Sequence, residues 1–295
     1  MRDKITIRDL EVFAYHGITD EEKSQGQKFL ISLELYLDLR KAGKTDDLNY
    51  TIDYGEVCKV VTRHTQSRKY NLIETVAQSI AETLLLRYDD LLTEVCVSIK
   101  KPWAPIAHPV DVCGVTLSEK WHQAYIGIGS NLGDREAYLK AGIAALKENE
   151  RCRVEKSSDI IESKPYGGVA KGDFLNMVIG IRTLLTPTEL FTMCKSAELK
   201  SGRKSGERWG DRTLDMDILL YDDKIIDIRE PELTIPHADM QNRSFVLEPL
   251  CQIAPGAVHP VLNTTIYQLN RQLQEKQINE TGGLFNWFTG IAAGE

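Results

Sequence analysis

Apolar and polar residues alternate strictly over residues 28–39 (KFLISLELYLDL), which predicts a long antiparallel strand with one face in solvent. Residues 111–117 alternate in the same way, residues 94–100 also form a strand pattern, and residues 5–13 suggest a first strand with an irregular step. Apolar positions with helical spacing follow residue 55 and cover residues 72–88. The first part of the chain is therefore expected to be an α+β domain.

A second α+β pattern follows a polar stretch at residues 118–123. It predicts strands at 124–129 and 174–184 and helices at 135–147 and 187–199. Residues 214–221 and 224–228 resemble a hairpin across Asp222 and Asp223, and residues 256–274 suggest a loop and a short helix. We therefore expect a domain at 1–118, a linker at 119–123, a second domain at 124–275 and an unassigned tail at 276–295.

The composition is that of a soluble globular protein, with 42 % hydrophobic and 27 % charged residues. The net charge of −7 argues against general nucleic-acid binding. The six cysteines form no CxxC pair, which favours free thiols in a reducing compartment. Without an apolar stretch long enough to span a membrane, or a leader-like N-terminus, a cytoplasmic location is expected and no membrane partner.

Two aspartates interrupt an otherwise apolar stretch at residues 214–221 (LDMDILLY). Residues two apart on a strand point to one face, roughly 6–7 Å apart, so Asp215 and Asp217 present their carboxylates together. Such a pair repels itself unless a cation intervenes, and hard oxygen ligands suit magnesium held with substrate phosphates. Arg203, Arg208 and Arg212 lie just upstream and suit phosphate oxygens. The alternative is an edge strand with solvated acids and unrelated loop arginines.

Several long motifs of the second half resemble the 6-hydroxymethyl-7,8-dihydropterin pyrophosphokinase family over about residues 124–274. They are AYIGIGSNLGDR (124–135), DFLN (173–176), GRKSGERWGDRTLDMDILLY (202–221) and IPHADMQNRSFVLEPL (235–250). The resemblance implies a ferredoxin-like α+β fold and transfer of pyrophosphate from ATP to the hydroxymethyl group of the pterin. Residues 127–133 also give GxGxxxG, which is off by one from the dinucleotide-binding fingerprint and lacks its βαβ context.

The resemblance also implies residue roles. Asp215 and Asp217 would bind two Mg²⁺ ions between ATP and the pterin hydroxyl, and Arg203 and Arg212 would clamp the transferring phosphates. The remaining implied residues are His237, Arg243, Trp209 and Glu198 for ATP, and Asn176, Phe174, Phe245 and Tyr166 for the pterin.

Some of these assignments have structural alternatives. Phe245 could belong only to the core, His237 could be an ordinary turn residue, and Glu198 could lie on a helix surface. The family often has tyrosine at the place of Phe174 and an aromatic residue at the place of Ala238. The first departure removes a hydroxyl, and the second affects the packing of ATP.

The first half resembles the dihydroneopterin aldolase family over about residues 1–118. The motifs are YHGITDEEKSQGQKF (15–29), TIDYGEV (51–57), YNLIETVAQSIA (70–81) and SIKKPWAPIAH (98–108). The resemblance implies a tunnelling fold, an antiparallel sheet with helices in which subunits join their sheets into a barrel. It also implies cleavage of 7,8-dihydroneopterin to glycolaldehyde and 6-hydroxymethyl-7,8-dihydropterin.

This cleavage is a retro-aldol reaction that needs a base for the 2′-hydroxyl, while the dihydropterin imine accepts the electrons, so no cofactor is expected. Lys100 is the candidate base, because partial burial and the neighbouring Lys101 would favour a neutral amine. Glu22 would shape the acid–base site, and Tyr54 would supply a hydroxyl from a neighbouring subunit. The alternatives are a surface lysine for Lys100 and an ordinary interface aromatic for Tyr54.

Glu74 has two interpretations. Asn71 and Glu74 have the spacing of a capping box at a helix start, in which Glu74 would only satisfy backbone donors. The resemblance implies instead that Glu74, with Ile73, holds the amino group and ring N–H of the pterin. His16 is expected to be structural.

The two resemblances predict a bifunctional enzyme of folate biosynthesis, because the product of the first reaction is the substrate of the second. The alternatives keep the pyrophosphokinase but make the first half an epimerase or an oligomerisation scaffold. A homo-oligomer, a tetramer or octamer, is expected through the first domain. The next enzyme of the pathway, dihydropteroate synthase, is expected on a separate chain.

Overall fold

The computed structural model describes residues 2–166, 172–203 and 210–289. The chain divides into two compact units, residues 1–121 and residues 122–295. In the described part of the chain, no helix combines the length and the apolar character that crossing a membrane requires.

The first unit is an antiparallel sheet with two long helices. Its strands are β1 (Lys4–Ala14), β2 (Gln27–Tyr36), β3 (Glu94–Lys101) and β4 (Cys113–Lys120), paired in that order. Its helices are α1 (Asp20–Gln25), α2 (Arg40–Thr45), α3 (Tyr54–Ser67) and α4 (Ile73–Arg87). Alternate residues of β2 and β3 are fully buried, as the alternation in the sequence predicts, and α4 packs on β3 and β4 while α3 packs on β1.

The irregular step expected in the first strand is a shift of register. The pairing of β1 with β2 slips between Ile7 and Leu10, where Asp9 has a φ of 50°. The extra residue keeps Leu10 on the same core-facing side as Ile7, although the two are three positions apart, because Ile7 pairs with Leu33 and Leu10 with Ile31 on the buried face of β2.

The second unit is built around an antiparallel sheet with helices on both faces. Its strands are β5 (His122–Ser130), β6 (Cys152–Ser157), β7 (Ile161–Ser163), β8 (Phe174–Thr183), β9 (Asp215–Tyr221), β10 (Ile226–Ile228), β11 (Leu233–Ile235), β12 (Val258–His259) and β13 (Thr264–Thr265). Its helices are α5 (Arg135–Glu148), α6 (Pro187–Lys200), α7 (Ser244–Ile253) and α8 (Ile266–Thr289).

The main sheet has the strand order β6-β8-β5-β9, and β7 also pairs with β8. The order and the antiparallel pairing are those of the expected ferredoxin-like α+β fold. Helices α5 and α6 cover one core and α7 and α8 cover another, so Ile179 and Val178 of β8 are buried in opposite cores. Because β8 is buried on both faces, its sequence is almost continuously apolar.

The predicted hairpin between residues 214–221 and 224–228 is wrong. β9 pairs with β5, whereas β10 pairs with β11 in a separate two-stranded sheet. Asp222 causes the departure, because its carboxylate accepts hydrogen bonds from the Gln123 backbone N–H at 2.9 Å and contacts the His122 ring at 2.7 Å. Its φ of 45° then turns the chain away from β9.

Residues 119–123, expected to be a linker, are mostly strand. β4 ends at Lys120 and β5 begins at His122, and Trp121 alone separates them. The polar composition of this stretch predicted a loop, but the alternation of β4 continues through it.

Candidate functional site

A cavity of about 810 Å³ opens in the second unit. Its walls come from β5, β8, β9, α6 and the segment between β11 and α7. The sequence-predicted residues that line it are Asp215, Asp217, Arg203, Arg212, Asn176, Phe174, Tyr166, His237, Arg243 and Phe245. Trp209, expected at ATP, lies outside the described residues.

The two aspartates share one face of β9, as the alternation of a strand requires. Asp215 lies opposite Gly129 of β5, and Asp217 lies opposite Gly127. A Cβ atom on Gly129 would lie 3.0 Å from the Asn176 amide oxygen, so the glycine leaves open space beside the carboxylates. Gly127 and Gly129 line the cavity from strand β5. The GxGxxxG motif is therefore not a dinucleotide-binding turn.

Asp215 is paired with both predicted arginines. Arg203 donates to Asp215 Oδ1 at 2.6 Å, and the guanidinium of Arg212 contacts Oδ2. Burial raises the pKa of Asp215, but the Arg212 and Arg203 charges outweigh it and hold the pKa below its usual range. The carboxylate is therefore ionised, and the three side chains are assembled before any substrate enters.

Glu198 lies beneath the cavity and not on the helix surface, since only 2 % of it is exposed. Its Oε1 accepts hydrogen bonds from Lys195 Nζ at 2.7 Å and from the Met216 backbone N–H at 2.8 Å, and Arg203 contacts Oε2. Burial raises the pKa of Glu198 in spite of Lys195. Glu198 does not itself line the cavity, but its contacts orient Arg203 and Lys195, which do.

Lys195 is a cavity residue that the sequence did not reveal. Its Nζ lies 3.7 Å from Asp217 Oδ1. Burial lowers its pKa, but the Asp217 and Glu198 charges outweigh it and the pKa is raised, so the ammonium remains charged. The only signal in the sequence is its position three residues before Glu198 on one helix, which does not show that the helix faces a cavity.

His237 faces the metal-ligand candidate Asp217 from the opposite segment. Its Nε2 lies 4.0 Å from Asp217 Oδ2, and its backbone N–H donates to the Leu219 carbonyl at 3.0 Å. The ring therefore points into the cavity from a segment fixed to β9, and it is more than a turn residue.

The other end of the cavity is aromatic and carries an amide. Asn176 donates to Ser163 Oγ at 2.8 Å, which fixes its side chain beside Phe174. Phe245 packs on the core formed by α7 and α8 and also lines the cavity, so the core interpretation and the site interpretation both apply. Tyr166 meets Phe245 edge to face, with ring centroids 5.9 Å apart.

Asn131 is a second residue that sequence reasoning missed. Its side-chain oxygen accepts from the Arg212 backbone N–H at 2.6 Å, and its Nδ2 donates to Asp211 at 2.7 Å and to the Gly172 carbonyl at 3.3 Å. These bonds use the full capacity of the amide nitrogen. Asn131 thus ties the segment before Asp215 to the end of β5, although the motif around it did not distinguish it from its polar neighbours.

Glu22 and Lys101 form the candidate catalytic pair of the first unit. The Lys101 ammonium contacts Glu22 Oε1, and the two side chains are only 13 % and 6 % exposed. Glu22 Oε2 also accepts from the backbone N–H groups of Ile18 at 3.0 Å and Thr19 at 3.2 Å. Burial raises the pKa of Glu22, but Lys101, Thr19 and Gln27 outweigh it and lower the pKa from 4.5 to about 2.

Lys100, the predicted base, lies elsewhere. It is 42 % exposed and donates to Asp9 Oδ1 at 2.9 Å. Successive residues of a strand point to opposite faces, so Lys101 shares the helix-covered face with Val97 and Ile99, and Lys100 does not. The expected association of Lys100 with Glu22 is therefore replaced by the pair of Lys101 with Glu22.

Of the remaining predicted residues of the first unit, Glu74 and Tyr54 are open to solvent. Glu74 is exposed in the first turn of α4, whose N-cap is Leu72 without a side-chain cap bond, so the capping-box interpretation is wrong. Ile73 is half-buried beside it, and Tyr54 is 67 % exposed at the start of α3. His16 is buried, and burial lowers its pKa.

Comparison with known proteins agrees with both halves of this description. The model of the family "Dihydroneopterin aldolase" matches residues 5–118, and that of "7,8-dihydro-6-hydroxymethylpterin-pyrophosphokinase (HPPK)" matches residues 125–255. A 2-amino-4-hydroxy-6-hydroxymethyldihydropteridine pyrophosphokinase of Aquifex aeolicus is 42 % identical over 137 residues, which are 46 % of this chain and 83 % of that protein.

Of two further relatives, one matches along most of the chain, and the other is a solved structure similar to the first domain. The folic acid synthesis protein FOL1 of Dictyostelium discoideum is 28 % identical over 298 residues, which are 92 % of this chain and 44 % of that protein. This chain thus spans less than half of that relative. The crystal structure of a putative dihydroneopterin aldolase from Vibrio cholerae is 31 % identical, with a TM-score of 0.38, covering 41 % of this chain and 98 % of that chain.

Fold, site and comparisons together define a two-domain α+β enzyme of pterin chemistry. The chain belongs to the 7,8-dihydro-6-hydroxymethylpterin-pyrophosphokinase family, and its first half is a dihydroneopterin aldolase domain. It combines the aldolase and the pyrophosphokinase of folate synthesis.

Proposed function

We propose that the two units act on successive pterins, with 7,8-dihydroneopterin cleaved in the first and 6-hydroxymethyl-7,8-dihydropterin pyrophosphorylated in the second. The observation that carries the proposal is the cavity in which Asp215 and Asp217 lie between an aromatic, amide-bearing end and a basic end. One end suits a flat heterocycle and the other suits a polyphosphate.

In the first unit, Lys101 is the group that exchanges protons with the substrate. As the neutral amine, Lys101 takes the 2′-hydroxyl proton, the C2′–O bond becomes the aldehyde carbonyl, the C1′–C2′ electron pair passes to the dihydropterin imine, and glycolaldehyde leaves. The Lys101 ammonium formed in this step then returns the proton to C1′, which gives the hydroxymethyl product. Glu22 is ionised and bonded to Lys101, so it holds the lysine in place and compensates its charge.

Glu74 and Tyr54 complete the proposed aldolase site. The exposed carboxylate of Glu74 suits the amino group and ring N–H of the pterin, with Ile73 beside it. Tyr54 is too exposed to be held within its own unit and supplies its hydroxyl to a neighbouring subunit. No cofactor is required, because the imine accepts the electrons.

In the second unit, the pterin hydroxyl oxygen attacks the β-phosphorus of ATP, the bond from that phosphorus to the α-phosphate oxygen breaks, and AMP leaves. Asn176, Phe174, Phe245 and Tyr166 hold the pterin. Arg203 and Arg212 neutralise charge on the transferring group, and His237 and Arg243 bind the phosphates of ATP, with Trp209 as a further nucleotide-side residue. Glu198, expected at ATP, acts instead by orienting Arg203 from beneath the cavity. Such preorganised cations account for much of the rate in phosphoryl transfer.

The carboxylates fit divalent cations. Asp217 is 37 % exposed toward the cavity, and both aspartates offer hard oxygen ligands that Mg²⁺ prefers together with phosphates. Two Mg²⁺ ions held by Asp215 and Asp217 would neutralise the phosphates and align the attack. Arg203 and Arg212 now contact both oxygens of Asp215. For Asp215 to bind Mg²⁺, these guanidinium groups must either share its carboxylate with the metal or move to the phosphate oxygens.

The first unit is proposed to assemble the chain into a tetramer or octamer. β1 and β4 lie at the two edges of its sheet, and unpaired edges offer backbone groups to a second copy. The exposed Tyr54, Leu72 and Ile18 add apolar surface near the proposed aldolase site. Light scattering coupled to gel filtration measures the mass, and a monomer at micromolar concentration would overturn the assembly.

The activity is tested in one reaction containing the purified chain, 7,8-dihydroneopterin, ATP and Mg²⁺. Glycolaldehyde, AMP and the pterin pyrophosphate, separated by chromatography, should all appear. AMP that forms only when 6-hydroxymethyl-7,8-dihydropterin is supplied would refute the aldolase half. Absence of AMP even then would refute the pyrophosphokinase half.

A further inference from the structure

Asn131, the residue that follows β5, bonds to both polar groups of the Arg212 backbone. Its own backbone N–H donates to the Arg212 carbonyl at 3.0 Å, and its side-chain oxygen accepts from the Arg212 N–H at 2.6 Å. Asn131 is only 8 % exposed, and hydrogen bonds withdrawn from water are stronger than exposed ones. One buried residue therefore fixes the backbone of Arg212 against the sheet.

The amide nitrogen of Asn131 joins two segments at the same point. It donates to Asp211 Oδ1 at 2.7 Å, in the segment before β9, and to the Gly172 carbonyl at 3.3 Å, in the segment before β8. Gly172 passes close to Asn131, since a Cβ atom at Gly172 would lie 3.0 Å from the Asn131 carbonyl oxygen. The side chain of Asn131 is thus held from two sides, and it cannot turn away from Arg212 without losing these bonds.

The Arg212 side chain extends from this fixed backbone to the cavity, which it lines. Its guanidinium contacts Asp215 Oδ2. Its Nε is buried and finds no hydrogen-bond partner among the residues that the structure describes. A buried N–H without a partner is costly, so this donor suits an acceptor that enters with the substrate, such as a phosphate oxygen.

The position of the Arg212 backbone decides where its guanidinium lies. A cation stabilises a transferring phosphoryl group most effectively when it is in place beforehand, because no reorganisation is then needed during the reaction. A misplacement of about 1 Å that originates outside the reacting groups can cost about 10²-fold in rate. Loss of both bonds from Asn131 would remove this control of Arg212.

We propose that Asn131 is a positioning residue for pyrophosphoryl transfer, which holds the Arg212 guanidinium at the transferring group by fixing the Arg212 backbone. The inference rests on the proposed function, because that function places Arg212 at the transferring group. Asn131 does not line the cavity, so it acts through Arg212 and not by touching pterin or ATP. Its effect should therefore fall on the rate of transfer more than on the affinity for the nucleotide.

The test compares the rate of transfer with nucleotide affinity. AMP formation is followed by rapid quench in a single turnover, with protein and ATP in excess of 6-hydroxymethyl-7,8-dihydropterin, so that product release does not limit it. Asn131→Ala should lower this rate by about 10–100-fold. The Kd of α,β-methylene-ATP with Mg²⁺ should change by less than about 3-fold. An unchanged rate, or a loss confined to the Kd, would overturn the inference.

A double-mutant cycle separates positioning from a general structural role. If Asn131 acts through Arg212, then Asn131→Ala should lower the rate by less than about 2-fold in a protein that already carries Arg212→Ala. Rate losses that multiply would show that Asn131 acts independently of Arg212, which overturns the inference. An Arg212→Ala variant with the full rate, or an unaltered protein that forms no AMP, refutes the proposed function instead.

Asn149→Ala is the matched control. The Asn149 side-chain oxygen also accepts from the backbone N–H of an arginine, Arg151, at 2.9 Å, but Asn149 follows α5 and does not line the cavity. This variant should keep the rate, and a loss equal to that of Asn131→Ala would contradict the inference. Thermal unfolding checks that each variant is folded. If Asn131→Ala does not fold, Gly172→Ala, whose new Cβ presses on Asn131, replaces it in the cycle with an expected loss of about 3–10-fold and the same criteria.

Discussion

Lys101 contacts the carboxylate of Glu22 at the end of β3, and both side chains are almost withdrawn from solvent. Lys100, its neighbour in the chain, projects from the other face and bonds to Asp9. The two lysines are chemically identical, so the pleat of the strand alone gives them different surroundings. On this geometry we propose Lys101, and not Lys100, for the proton-exchanging role.

Replacing each lysine separately tests this assignment. Lys101→Ala should lower the rate of glycolaldehyde release by about 10²–10⁴-fold, the usual contribution of a general acid–base group. Lys100→Ala should change it little, because that side chain is half in solvent. AMP formation from supplied 6-hydroxymethyl-7,8-dihydropterin serves as the internal control in both. A larger loss in Lys100→Ala would restore Lys100 as the base.

Glu22→Gln should alter the dependence of stability on pH. The pKa of Glu22 is lowered from 4.5 to about 2, so the folded protein favours its ionised form. Its contribution to the free energy of unfolding, about 3 kcal/mol, is present above its unfolded pKa and is lost as the pH falls toward the folded value. Urea unfolding of both proteins should show a difference that shrinks between pH 5 and pH 2.5. A difference that is constant over that range would contradict the proposed state of the pair.

Asp217→Asn should separate the two activities. Loss of one proposed metal ligand should reduce AMP formation by about 10²-fold or more, since the cations stabilise the charge of the transferring group. Glycolaldehyde release should remain, because Asp217 belongs to the other unit. Mn²⁺ binding followed by electron paramagnetic resonance, in the presence of α,β-methylene-ATP, should weaken in parallel. Unchanged Mn²⁺ affinity would exclude Asp217 as a ligand.

Tyr54 should act in trans. Tyr54→Phe and Lys101→Ala should each impair the aldolase when assembled alone. If the site uses Tyr54 of one subunit and Lys101 of another, unfolding and refolding the two variants together should restore part of the activity, because some sites then receive both intact residues. Proteins mixed without exchange of subunits are the control. No recovery in verified mixed oligomers would place both residues of one site on the same chain.

Regular elements were predictable wherever the periodicity is local. The alternation of residues 28–39 and the helical spacing of residues 72–88 correspond to β2 and α4 within a few residues. The partner of β9 was not predictable, and the expected hairpin with β10 is wrong, because Asp222 bonds to the start of β5, about a hundred residues earlier in the chain. A turn motif shows that the chain reverses, but not which strand it joins.

The residues of the nucleotide and pterin site were mostly predictable because their types and spacing are unusual. Asp215 and Asp217 share a face by the rule of alternation alone, and Arg203 and Arg212 lie beside them, whereas Arg208 lies outside the described residues. Lys195 and Asn131 could not be identified in this way. Their types are common, and only their long-range partners, Asp217 and Arg212, distinguish them.

The sequence by itself determined the two α+β halves, the family of each and the carboxylate pair, because these depend on periodicity and on motifs of adjacent residues. The tertiary structure decided which of two neighbouring lysines meets Glu22, that Glu198 is buried, and that Asn131 bonds to the backbone of Arg212. Each of these depends on contacts between segments far apart in the chain. Such contacts follow from the packing of helices on a pleated sheet, and no local pattern encodes them.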